Sequence, residues 1–303
     1  MQTSTEAFVA MDDGVRLWTA TSRSDAMPVV LCHGGAGLWD YLESVATMLA
    51  PVACVHRWDQ RGCGRSERAG PYSLTRCLAD LELLRRHFGH ERWLVGGHSW
   101  GASLALRYAL EHPARTLGVL YVSGTGFGQA WRAAYHEEAD RRLTPAQRHR
   151  RDGLGQRSRT AGDEREWRTL CYASDVGDPR RAFAIAERFA DVPFAINVEC
   201  NRALNDEEKQ TLEADVLDRC GRLEVPVRVV HGARDPRPVW AVESLVAALP
   251  QAGLTVLDGV GHLPWLEDPA AFEGVARDFV LDVASRAPLP RGRDDLAGGE
   301  QRR

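Results

Sequence analysis

The stretch GGHSWGASLALRYAL, Gly96 to Leu110, constrains this chain more than any other. It sets a serine between two glycines where a strand-like run, RWLVGG, gives way to a helix-like one. A polar residue at a sharp strand-to-helix turn stands clear of the backbone only if its neighbours carry no obstructing side chain. That requirement is the G-x-S-x-G nucleophile elbow, here Gly97-His98-Ser99-Trp100-Gly101. The helix that follows aims its first N–H groups at the place where negative charge would develop. The alternative is a plain helix N-cap, in which the Ser99 hydroxyl would bond the first turn.

The surrounding pattern repeats this seam. Short β-branched runs with glycine-rich ends occur at Met27 to Gly35, Ala53 to Gly62, Arg92 to Gly101 and Leu117 to Gly126, and read as buried parallel strands. Between them lie segments of helical period, such as SLTRCLADLELLRRHFG, where Leu74, Cys77, Leu78, Leu81 and Leu84 share a face. Alternating strand and helix predicts an α/β fold, a mostly parallel sheet flanked by helices.

The alternation lapses over residues 127–223, which are rich in Arg, Glu and Ala, with helical stretches WRAAYHEEADRRL and RRAFAIAERFA around a polar middle, RRDGLGQRSRTAGDE, that reads as loose. This segment is expected to be an inserted helical cap. The α/β pattern resumes with VPVRVVHGARD, VWAVESLVAALP, LTVLDGVGH and a last helix, PAAFEGVARDFVLDVAS, so residues 1–126 and 224–285 form the core. Residues 286–303, RAPLPRGRDDLAGGEQRR, have no apolar period and are expected to be a disordered tail.

A serine hydroxyl is a weak nucleophile at neutral pH and needs a base that an acid orients, in the chain order serine, acid, histidine for this architecture. Asp235 closes the strand-like VRVVHGARD, and His262 follows the next strand in LTVLDGVGHLPWLEDP. Both fall in loops after strands, the edge where open α/β sheets place their sites. Glu267 and Asp268 are weaker acid candidates because they follow the histidine and sit where the last helix begins. His98 is read as packing or pocket lining, its side chain aimed away from the serine. An oxyanion requires two N–H donors: Trp100, next after the serine, and a glycine of HGGAG, with Gly35 the choice.

Composition removes other classes. The chain has 38 Lys and Arg against 42 Asp and Glu, a net charge of −4, mixed along its length, so it offers no basic stripe for nucleic acid. No run reaches the roughly 18 to 20 apolar residues of a membrane span, and the first residues lack a basic start followed by an apolar run. The expectation is a cytoplasmic protein without a membrane partner, of unknown oligomeric state. Seven cysteines, scattered and without a CxxC pair, suggest neither a disulfide framework nor a metal site, and they are expected to be buried apolar fillers.

With these residues in hand, the chain resembles the α/β-hydrolases and, among them, the proline iminopeptidases. HGGAG is similar to that family's HGGPG, DQRGCGRS (Asp59 to Ser66) stands as it does there, and GGHSWG is similar to GGSWG with His98 in place of a glycine. The likeness spans about Val15 to Gly126 and Val225 to Ala284. In DQRGCGRS, Asp59 and Arg61 can pin a loop by charge-assisted bonds, and Cys63 can lie near the pocket. The resemblance further implies that cap carboxylates hold a free α-amino group. NVECN offers Glu199 for one; for the other, EWRTLCYASD carries Leu170 and Cys171 where a glutamate is expected.

The reading that results is a serine hydrolase acting through an acyl-enzyme on a small-molecule or short-peptide substrate, either an ester or lactone or an N-terminal prolyl peptide. It calls for no metal and no organic cofactor, since Ser, His and Asp suffice for acyl transfer. A non-catalytic ligand receptor and a cofactor-independent lyase on the same fold remain alternatives.

Overall fold

A computed structural model describes residues 4–22 and 25–286; the expected tail falls outside the described residues except for Arg286, the last residue of the final helix. Six strands follow the expected pattern: β3 (Pro28–Cys32), β4 (Cys54–Trp58), β5 (Trp93–His98), β6 (Thr116–Val122), β7 (Val227–Gly232) and β8 (Ala252–Leu257). Two more precede them, β1 (Thr5–Ala10) and β2 (Arg16–Thr21), an antiparallel hairpin closed through Asp-Asp-Gly. Gly14 takes φ +84° in that turn, the left-handed conformation that favours glycine. Among the described residues the sheet runs β1-β2-β4-β3-β5-β6-β7-β8, parallel from β4 to β8.

Side chains alternate between the two faces of the sheet. Val30 and Cys32 of β3 join Leu81 and Leu84 of α2 (Leu74–His87) and Leu104 of α3 (Trp100–Glu111) in one core. Val29 and Leu31 turn to the other, against Val45 and Leu49 of α1 (Glu43–Leu49) and the Phe272 and Val280 side chains of the final helix, Pro269–Arg286. Each buried Val, Leu or Phe contributes on the order of 2 kcal/mol, which is what commits both faces to helices. Chain order reverses at β3, whose neighbours are β4 and β5. A crevice therefore opens between the C-terminal ends of β3 and β5, the usual ligand position in an open α/β sheet.

Between β6 and β7 lie six helices: α4 (Trp131–Arg141), α5 (Pro145–Gly155), α6 (Ala161–Ala173), α7 (Ala182–Ala190), α8 (Val198–Gln210) and α9 (Glu213–Cys220). The middle read as loose is mostly α5 and the start of α6. Two capping boxes explain the difference: Thr144 with Gln147, ahead of Pro145, and Thr160 with Asp163. The charges that made the segment look unstructured pair across the helices, Arg150 with Glu166 at 2.6 Å and Arg151 with Asp140 at 2.8 Å. After β7 come α10 (Trp240–Ala248), the short α11 (Pro264–Glu267) and α12 (Pro269–Arg286). No helix among the described residues is long and apolar enough to cross a membrane.

Candidate active site

Ser99 sits between β5 and α3 with φ 57° and ψ −121°, a strained conformation for a residue with a Cβ. It makes no side-chain capping bond, so the N-cap alternative does not hold, and its hydroxyl is left over from the turn that presents it. The neighbouring glycines are dictated by contact. A Cβ on Gly97 would lie 2.0 Å from the Gly101 carbonyl oxygen, and one on Gly101 would lie 2.2 Å from that of Cys32. No side chain fits either position.

The HGGAG loop leaves β3 beside this elbow. A Cβ on Gly34 would meet Ser99 Cβ at 2.9 Å, so the loop touches the serine. It is anchored from behind, since Gln60 N donates to His33 Nε2 at 3.1 Å and Gln60 Nε2 donates to the His33 carbonyl at 2.8 Å. The N–H groups of Gly35 and Trp100 form no backbone bond among the described residues. They are the two expected oxyanion donors.

Asp235 follows β7 and His262 follows β8, and the structure joins them: Nδ1 of His262 lies 2.6 Å from Asp235 Oδ2, with both side chains buried. Burial alone would push the Asp235 carboxyl up. The His262 imidazole, followed by the Arg237 guanidinium, overrides this and holds it well below the usual carboxylate range. Asp235 Oδ1 accepts from Arg237 N at 2.8 Å, and Arg237 Nη1 reaches Asp175 Oδ1 at 2.6 Å over the Tyr135 ring.

The loop carrying His262 is bonded at successive peptides. His262 N donates to the Asp175 carbonyl at 2.7 Å. Glu267 accepts from Gly261 N at 3.0 Å, Leu263 N at 3.3 Å and Gly177 N at 2.7 Å. Glu267 thus clamps the loop, with its oxygens engaged by backbone N–H groups, and it ends α11; Asp268 caps α12 through Ala271 N at 3.1 Å. His98 differs from the expectation of plain packing, because its Nε2 lies 2.9 Å from the His262 carbonyl oxygen.

DQRGCGRS divides its work. Asp59 accepts from Asp40 N and Arg65, while Arg61 forks onto Asp80 of α2 with two bonds of 2.9 Å. Cys63 is buried, and bonding to Cys200 together with burial pushes its thiol up; six of the seven cysteines are buried. Glu199 is exposed on the first turn of α8, whose Asn197 N donates to the Gly37 carbonyl at 2.8 Å and whose Asn201 Nδ2 donates to that of Ala36 at 2.6 Å. Leu170 is buried and Cys171 half-buried in α6. A cleft of about 970 Å³ between α4, α7 and the loop after β7 reaches Asp235, but neither Ser99 nor His262 lines it. It lies behind the acid and not over the serine.

Arg237, Asp175 and the clamping role of Glu267 carry no mark in the sequence. Arg237 stands two places after Asp235, but in a chain this rich in arginine that nearness carries no signal. The others are paired only by the fold.

A model of the alpha/beta hydrolase family matches residues 29–275. A probable proline iminopeptidase of Leptolyngbya boryana is 28% identical over 269 residues, covering 78% of this chain and 81% of that protein. The proline iminopeptidase of Xylella fastidiosa is 29% identical over 290 residues, covering 84% and 90%. Among solved structures, the proline iminopeptidase of Mycobacterium smegmatis superposes with a TM-score of 0.66 at 20% identity, over 94% of this chain and all of that one, a likeness of fold.

Proposed function

Because the chain belongs to the alpha/beta hydrolase family, we propose that it is a serine hydrolase in which Ser99, His262 and Asp235 form an acyl-transfer triad. The observation that carries this reading is the buried His262–Asp235 pair at 2.6 Å on the loops beside the Ser99 elbow. Asp235 occupies Nδ1, which leaves Nε2 of His262 to take the Ser99 proton. Ser99 Oγ attacks the substrate carbonyl, the N–H groups of Gly35 and Trp100 stabilise the oxyanion, and the imidazolium returns its proton to the leaving group. Water then repeats the sequence on the acyl-enzyme and frees Ser99. Asp235 remains ionised throughout, since its surroundings hold its carboxyl low.

For the substrate we favour a small amide with a free N-terminal amine, as in a prolyl peptide, with Glu199 receiving the ammonium. Support comes from the proline iminopeptidase relatives and from the seat of α8 on the HGGAG loop. Leu170 and Cys171, standing where a second carboxylate is expected, favour a short ester or lactone as the second reading. Ser99→Ala is expected to lower kcat by about 10⁴-fold or more, measured on a prolyl anilide and on nitrophenyl esters. If Glu199→Gln removes a preference for the anilide, the aminopeptidase reading stands; Ser99-dependent turnover of esters alone selects the second. Turnover that survives Ser99→Ala would overturn the triad.

A further inference from the structure

His98 fills the position before the serine, and its side chain joins a chain of three hydrogen bonds that crosses the site, buried at the His262 end and half-buried at Tyr41. Gly34 N donates to Tyr41 Oη at 2.8 Å, Tyr41 Oη lies 2.6 Å from His98 Nδ1, and His98 Nε2 lies 2.9 Å from the His262 carbonyl oxygen. The direction of the chain follows from its ends. A carbonyl can only accept, so Nε2 of His98 must carry a proton; Gly34 N can only donate, so Tyr41 Oη accepts there and has its own proton to give. A neutral ring with a bare Nδ1 receives that proton, and each donor meets an acceptor.

Neutrality has a second cause. The His98 and His262 rings stand 4.5 Å apart, centre to centre, and a charged His98 would oppose the imidazolium that His262 becomes during turnover. Trp265 meets His98 edge-on at 4.7 Å and lies parallel to Tyr41 at 6.1 Å, while Phe189 of α7 presses edge-on against Tyr41 at 4.9 Å. These rings pack around the Tyr41–His98 link.

We infer that His98 is a positioning residue: with Tyr41, it ties the carbonyl of the base, His262, to the oxyanion loop at Gly34, so that base and oxyanion donor are held in register on Ser99. Gly34 and Tyr41 belong to the segment after β3, His98 ends β5 and His262 follows β8, so the two bonds of His98 are the ones that join the three segments. The inference rests on the serine-hydrolase reading. It assigns to His98 and Tyr41 a role that neither plays by touching substrate.

The test is the rate at which a fluorophosphonate labels Ser99, which needs no knowledge of the substrate, compared across wild type, His98→Leu, His98→Gln and Tyr41→Phe, with the thermal midpoint of each. Gln can donate to the His262 carbonyl and accept from Tyr41; Leu can do neither. His98→Leu is expected to slow labelling by about 100-fold, since misplacing a reacting group by about 1 Å costs that much. His98→Gln should recover most of the rate, and Tyr41→Phe should slow labelling while keeping the ring packing. If His98→Leu fails to fold, Tyr41→Phe decides.

On nitrophenyl esters the loss should fall on kcat and leave KM near wild type. The ring ¹⁵N shifts of His98 should report a protonated Nε2 and a bare Nδ1, a readout that requires no activity. Labelling at the wild-type rate in His98→Leu or Tyr41→Phe, a His98→Gln as slow as His98→Leu, or a bare Nε2 would each overturn the inference and leave the hydrolase reading intact. A wild type that is not labelled at Ser99 would overturn that reading, and the inference with it.

Discussion

Around Ser99 the backbone leaves no room for a single added carbon at Gly97 or Gly101, whereas in α5, between β6 and β7, a Cβ on Gly153 would meet nothing within 4 Å. The sheet edge is held by buried bonds between distant loops, such as Glu267 gripping Gly177, Gly261 and Leu263. The helices between β6 and β7 bury a small core of their own around Ala173, Val176, Ala182 and Ala186, and add caps and surface pairs such as Arg150 with Glu166, both about half exposed. Two kinds of tolerance follow. Geometry that must hold within a fraction of an ångström is written in small residues and buried partners, while helix faces turned to water can change side chains cheaply.

Substitutions in the two regions should differ in the size of their effects. The largest effect is expected at Asp235→Asn, which keeps the shape but gives His262 the wrong tautomer; kcat should fall by about 10³- to 10⁴-fold. A small loss of kcat would mean that Asp235 only braces the loop. Gly101→Ala comes next: with a Cβ forced to 2.2 Å from the Cys32 carbonyl oxygen, it should cost about 3 kcal/mol or more in urea unfolding.

Glu82 tests whether buried charge also matters away from the site. Burial raises its carboxyl, but hydrogen bonds from Arg85, Tyr108 and Arg86 outweigh this and bring it from 4.5 to about 2. A carboxyl lowered in the folded state adds stability that is fully present above its unfolded value and is lost as pH falls through the folded one. Stability should therefore decline between about pH 4.5 and 2, and Glu82→Gln should remove roughly 1 to 3 kcal/mol of that dependence in acid titrations followed by circular dichroism.

The smallest effects belong to the helices between β6 and β7. Gly153→Ala should stabilise by about 0.5 to 1 kcal/mol, since alanine suits a helix interior better than glycine. Arg150→Ala should leave Tm where it is, because an exposed pair is screened by water and salt. If Arg150→Ala unfolds the protein while Gly101→Ala is tolerated, the contrast between the two regions is wrong.

Much of this was legible in short windows. Alternating β-branched runs and helical periods mark six strands of the sheet. The hairpin of β1 and β2 lies outside that alternation, although Asp-Asp-Gly marks its turn, because no parallel period surrounds it. The polar stretch before α6 misled through composition: its charges are surface pairs on helices, and the capping boxes at Thr144 and Thr160 were the better signal. Asp235 and His262 were picked out by their places after strands, and the structure bonds them. Glu267, a candidate acid by its place near the histidine, is a clamp, since nothing local tells a carboxylate facing an imidazole from one facing three N–H groups.

The α/β alternation, the elbow with its two obligatory glycines, and the order of serine, aspartate and histidine are all present in the linear chain. These depend on periodicity and on steric contacts between residues a few places apart. Folding alone brings His98 to the His262 carbonyl 164 residues away and Tyr41 to the His98 ring 57 residues away. It also sets Asp175, from the segment between β6 and β7, to receive the His262 N–H. A buried polar atom takes whichever partner the packing brings within about 3 Å, and packing is settled by the whole chain at once.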